Sequence, residues 1–99
     1  MTIRFATKQL ENWFTEDYSG KQPFSAAVLK AYQKTVRKLD AADSVTILKQ
    51  NKSLDFHSLK RELAGKYAVR VNMQYRIVFS LTQEGELEII DIEQLTDYH

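Results

Sequence analysis

Arg70 and Arg76 are the residues of this 99-residue chain with the clearest capacity for chemistry. They lie in two β-rich alternating runs, Tyr67 to Val71 and Tyr75 to Leu81, joined by Asn72-Met73-Gln74. A three-residue loop pairs Val71 with Tyr75, Val69 with Ile77 and Tyr67 with Phe79, so the large apolar groups share one face. That register sets Arg70 directly opposite Arg76 on the other face. Like charges so opposed cost a few tenths to ~1 kcal/mol. A sheet that keeps both needs an acidic neighbour, Glu88 or Asp91 on the next strand, or an anionic ligand. Guanidinium groups match phosphate oxygens two at a time, so a phosphate site is the functional reading. Lys60, Arg61 and Lys66 would extend it. His57 and His99 are the chain's two histidines. A histidine changes charge near neutral pH and serves as acid or base; its ordinary alternative is a structural or solvated ring. A second cationic group, Lys30, Lys34 and Arg37, sits at helical spacing, where solvated lysines are the common case.

Other chemistries find no residues. There is no cysteine, which removes thiolate ligands, thiol nucleophiles and disulfides and fits a reducing cytosol. Two distant histidines give no metal-ligand spacing, so neither a metal nor another cofactor is expected. Gly20, Gly65 and Gly85 are too far apart for a phosphate loop, and no serine sits in a nucleophile elbow.

Composition bounds the class. At 43% hydrophobic and 27% charged the chain reads as one globular domain over residues 1–99, with a modest core. The longest unbroken apolar run, Ala26 to Leu29, is far too short to span a bilayer, and no signal-type segment opens the chain. The formal net charge of +1 hides a segregation. Residues 49–76 carry seven basic and two acidic side chains, whereas residues 77–99 carry six acidic and no Lys or Arg. The middle of the chain can therefore present a positive surface.

The elements that must position these residues follow from periodicity. Thr2 to Phe5 reads as a short strand. Ala6, Leu10, Trp13 and Phe14 fall at helical spacing, with Ser19-Gly20 as the stop. A second helix is expected from near Pro23, with Phe24, Val28, Tyr32, Val36 and Leu39 as its buried stripe and Lys30, Lys34, Arg37 and Lys38 opposite. Asp43-Ser44 would cap a short helix from Val45 to Lys49. After the two runs that carry the arginines comes a third strand, Leu87 to Ile92, whose buried face is either Leu87/Ile89 or Ile90/Ile92. Residues 93–99 read as a tail. Strand, two helices and an antiparallel meander make an α+β domain, with the helices on one sheet face.

His57-Ser58-Leu59-Lys60, the stretch Gly65 to Phe79, and the terminal Asp97-Tyr98-His99 together resemble the RelE/ParE toxin superfamily, most closely its HigB-type, plasmid-maintenance-killer branch. The resemblance covers essentially the whole chain. It implies a RelE-like microbial RNase fold, in which a short N-terminal strand and two helices pack on one face of a small antiparallel sheet. It implies a bacterial cytoplasmic toxin restrained by a cognate helix-turn-helix antitoxin of the HigA type, with the complex binding its own operator DNA through the antitoxin. It also implies metal-independent cleavage of mRNA in the ribosomal A site, with no membrane involved. Carried over by position, His57, Lys60, Arg76, Asp97, Tyr98 and His99 match the active-site pattern. Three features depart from the family: the stretch from Asp91 to Thr96 is long, position 61 is Arg where many relatives have Gly, and the overall charge is less basic than in many ribosome-dependent members.

Such cleavage uses the ribose 2′-hydroxyl as nucleophile. It needs a base, an acid for the leaving 5′-oxygen, and cations for the charge gathering on phosphorus. Asp97 or His99 fits the base, and His57 or His99 the acid. Arg76 and Lys60 would stabilise the transition state, with Lys66, Arg70, Lys30, Lys34 and Arg37 holding RNA phosphates. Tyr98 would stack on an unpaired base. The competing reading is a ParE-type toxin that inhibits DNA gyrase by binding, in which His57, Asp97, Tyr98 and His99 have no task.

Overall fold

The computed structural model describes residues 1–15 and 23–97. Five strands, β1 (Thr2–Phe5), β2 (His57–Ser58), β3 (Tyr67–Arg70), β4 (Tyr75–Glu84) and β5 (Leu87–Asp97), form one sheet in the order β1-β5-β4-β3-β2. The meander from β2 to β5 is antiparallel, as the alternation requires. The N-terminal strand β1 is the parallel addition, pairing with β5 through Thr2↔Ile89 to Phe5↔Ile92.

Among the described residues, three helices cover one face. Helix α1 (Lys8–Phe14) starts where the Thr7 hydroxyl accepts from the Leu10 amide. The expected stop for this helix, Ser19-Gly20, lies outside the described residues. Helix α2 (Ala26–Ala41) begins after Pro23 rather than at it, because the Ser25 hydroxyl accepts from the Val28 amide and so satisfies one of the free donors of the first turn. Phe24 is consequently not part of the helical stripe. Its ring packs edge-on between Trp13 and Tyr75, with centroids 5.0 and 5.3 Å away. Helix α3 (Val45–Gln50) takes Ser44 as its cap.

Tyr32, Val36 and Leu39 of α2, with Leu10 and Trp13 of α1, close the core against Val69, Ile77, Phe79, Ile90, Ile92 and Leu95. The Tyr32 hydroxyl donates to the Leu10 carbonyl at 2.7 Å, which ties α2 to α1; burial pushes that phenol up from its ordinary range.

The last strand corrects the sequence reading at its end and decides between the two faces it left open. It does not stop at Ile92 but pairs with β4 through to Asp97, so most of the expected tail is sheet. Its helix-facing residues are Ile90, Ile92 and Leu95, a spacing of two and then three. Between the pairs Phe79↔Ile92 and Val78↔Gln94 one residue, Glu93, is left over, and this bulge absorbs the odd step. Burial drives it: Leu95 ends 8% exposed, and sinking a leucine of that kind is worth about 2 kcal/mol over leaving it in water. Ile89 is buried as well, outside the helix-facing cluster, and Leu87 is exposed.

Candidate active site

The face of the sheet away from the helices carries the candidate chemistry. The hairpin adopts the expected register: Tyr67↔Phe79, Ala68↔Val78, Val69↔Ile77 and Arg70↔Arg76. Asn72 sets the loop, its side-chain oxygen accepting from the Gln74 and Tyr75 amides at 2.8 and 2.7 Å. Arg70 and Arg76 thus stand side by side on the open face, and the next strand adds Thr96 opposite Arg76. The Arg76 Nε is buried in the sheet surface.

The acids expected as alternative partners for the pair are placed elsewhere. Asp91 accepts from Arg4 Nε at 2.6 Å and from the Thr82 hydroxyl at 2.6 Å. The Arg4 hydrogen bond holds the Asp91 carboxyl below its usual range. Glu88 pairs with Gln83 near the far end of β4. Among the described residues, no carboxylate forms an ion pair with Arg70.

His57 lies on β2 opposite Ala68, in the row His57–Ala68–Val78–Gln94 next to the arginine row. Strand spacing and rise put its Cα about 12 Å from that of Arg76, a gap two long side chains close around one phosphodiester. Its Nδ1 is 2.8 Å from the Asp55 carbonyl. With Nδ1 as the donor, Nε2 is the nitrogen left for proton transfer. Asp55 presents that carbonyl from a left-handed conformation, φ +47°, which a short polar side chain tolerates.

Lys60 is exposed just beyond β2, beside Arg61. Arg61 has φ +60°, a backbone position that favours glycine. Lys66, expected on phosphate, instead forms an ion pair with Glu93. Burial pushes the Glu93 carboxyl up, but hydrogen bonds from Lys66 and Ser80 outweigh it and leave the group below its usual range.

Asp97 sits opposite Tyr75 and its Oδ2 accepts from Gln74 Nε2 at 3.2 Å, so the end of β5 is fastened to the arginine hairpin. Tyr98 and His99 lie outside the described residues. Lys30, Lys34 and Arg37 are exposed along α2 on the helix side of the sheet, and Arg37 leans over the Phe14 ring at 6.0 Å. The sheet therefore separates this stripe from the arginine pair. Among the described residues, no three His, Asp or Glu side chains gather as a metal site would, and no helix is long and apolar enough to cross a membrane.

Sequence reasoning placed the arginine pair but missed the contacts that order its surroundings: Gln74 on Asp97, Ser80 and Lys66 on Glu93, and Arg4 on Asp91. The odd hydrophobic step from Ile92 to Leu95 was the one signal of the bulge.

The architecture has solved counterparts. It is similar to a YoeB/ParE toxin from Agrobacterium tumefaciens, with a TM-score of 0.58 at 15% identity and 100% of both chains covered. It is similar also to a chain of a YoeB-YefM complex from Staphylococcus aureus, with a TM-score of 0.55 at 20% identity, covering 100% of this chain and 97% of that one. At these identities the likeness is one of fold. No curated protein sequence matches significantly. The model of the HigB-like toxin family, RelE-like toxins of type II toxin-antitoxin systems, matches residues 3–99. With nearly the whole sequence matched and the sheet and helices in the arrangement of this toxin fold, the chain belongs to the HigB-like family of RelE-type toxins.

Proposed function

We propose that this toxin is an endoribonuclease that cuts ribosome-bound mRNA in the A site without a metal ion. The observation that carries the reading is the register of β5, which brings Thr96 opposite Arg76 and Asp97 beside the same hairpin. Asp97, a candidate base, is thereby brought to the hairpin that carries a pair of phosphate-matching cations.

The 2′-hydroxyl attacks the adjacent phosphorus, giving a 2′,3′-cyclic phosphate and a free 5′-hydroxyl. The base that takes the 2′-proton is drawn from Asp97 and His99, and the acid that protonates the leaving oxygen from His57 and His99. Arg76, with Arg70 and Lys60, stabilises the charge on the pentacovalent phosphorus. Tyr98 stacks on an unpaired base. In the resting cell an antitoxin covers this cationic face; a YoeB-YefM complex on the same fold supports such a partner. The HigA-type antitoxin, which also carries the complex to operator DNA, and the bacterial cytoplasm as the site of action complete the proposal.

The test is primer extension on mRNA in a reconstituted translation system. Wild-type toxin should cut within the A-site codon. Arg76→Ala should lower the rate about 10²–10³-fold, the range for losing one transition-state donor, with circular dichroism unchanged. His99→Ala and His99→Gln should each cost about 10²–10⁴-fold. Uncut mRNA, with DNA synthesis halting first in induced cells, would replace the nuclease by the gyrase inhibitor.

A further inference from the structure

Strand β5 is one residue longer than the strand it pairs with: it has 11 residues against 10 in β4. The two run in step from Glu84↔Leu87 to Phe79↔Ile92, and then Glu93 is skipped. Continued in step, β5 would set Leu95 against Arg76 and Thr96 against Tyr75, and would turn Gln94 toward the helices. The bulge shifts the strand by one residue, so that Leu95 enters the core, Thr96 faces Arg76 and Asp97 faces Tyr75.

The skipped residue is fastened on the open face. Its carboxylate accepts from the Ser80 hydroxyl of β4 at 2.8 Å and from the ammonium of Lys66, the residue before β3. A bulge with no such anchor can migrate along its strand, and each one-residue slip moves every following side chain to the other face. Glu93 holds its bulge from two neighbouring segments at once.

We propose that Glu93, clamped by Lys66 and Ser80, is a positioning residue that locks the register of the C-terminal end of β5 and so delivers Asp97 to the hairpin that carries Arg76. The inference rests on the nuclease reading. It also gives Lys66 a different task from phosphate binding: its ammonium is spent within the protein, on Glu93.

The experiment compares Glu93→Gln, Lys66→Met and the double variant of the full chain, in single-turnover cleavage on mRNA-loaded ribosomes and by backbone NMR. Each single variant should lower the saturated rate about 10- to 100-fold, the scale for a misplacement approaching 1 Å. The half-saturating ribosome concentration should stay within about twofold. The double variant should be no worse than the poorer single, because both remove one shared contact. In NMR the cross-strand contact between Arg76 and Thr96 should weaken, and amide exchange over residues 94–97 should quicken, with β3 unchanged. A phosphate-binding Lys66 predicts opposite signs: Lys66→Met raises the half-saturating concentration, and Glu93→Gln, which releases the ammonium, lowers it. That pattern overturns the proposal, as do variants that keep both register and rate. If a variant fails to fold, Ser80→Ala, which leaves the ion pair intact, is put to the same two readouts. If wild type does not cut mRNA while the NMR contacts still loosen in the variants, the nuclease reading falls and the register lock stands.

Discussion

Replacing Arg70 by Gln should make the protein more stable while making it a poorer toxin. Arg70 and Arg76 are directly cross-strand, so their Cβ atoms lie about 5 Å apart and their heads, side by side, about 7 Å. In water two unit charges at that distance repel by roughly 0.6 kcal/mol. The Debye length is about 8 Å at 0.15 M salt and about 3 Å at 1 M, so the repulsion falls to about half in the first case and nearly vanishes in the second. Gln keeps most of the half-buried stem, which leaves the charge as the main difference. Arg70→Gln should therefore raise the unfolding free energy by about 0.5 kcal/mol at 10 mM salt and by almost nothing at 1 M. Urea titrations followed by circular dichroism at the two salts isolate the charge effect as a difference of differences. In parallel, the variant should bind mRNA-loaded ribosomes more weakly and lose about one unit of salt slope. A stability loss at low salt, or a gain of equal size at both salts, would refute the claim that Arg70 and Arg76 repel across the strand pair.

Three further outcomes follow from the same geometry. Asp91 and Glu93 have carboxyls held below their usual range in the folded chain, so their contribution is fully present above about pH 4 and is lost as pH falls through the folded values; the urea midpoint should be flat from pH 8 to 5 and drop below about 4, more shallowly in Asp91→Asn. Arg61→Gly should raise stability by about 0.5–1 kcal/mol in thermal unfolding, because the left-handed strain at φ +60° exceeds the entropy glycine adds to the unfolded chain; a lower Tm would count against it. Lys30→Glu with Lys34→Glu should leave the saturated cleavage rate unchanged, because the sheet lies between them and Arg76, and should weaken ribosome binding with a shallower salt slope; unchanged affinity would make the stripe plain solvent-facing surface.

The sequence by itself determined the hairpin and its arginines. Alternation of period two allows only one loop length that puts Tyr67, Val69, Ile77 and Phe79 on one face, and that choice forces Arg70 opposite Arg76. The α2 stripe was legible for the same reason, since spacings of three and four point to one side of a helix. Tertiary structure decided what has no local period. The step from Ile92 to Leu95 fits neither strand nor helix, and only pairing against β4 turns it into a bulge that carries Asp97 to the hairpin. Which charges meet was decided by strand order. Parallel β1 brings Arg4 to Asp91 across 87 positions, and the bulge brings Glu93 to Lys66, so two residues that the sequence left available for the arginine pair or for phosphate are already engaged. The helices fill one face of the sheet and leave the arginines on the other, which separates two basic groups that the sequence reading assigned together to RNA phosphates. Local pattern fixes the face a residue takes; the neighbours it finds there are fixed by how distant strands line up.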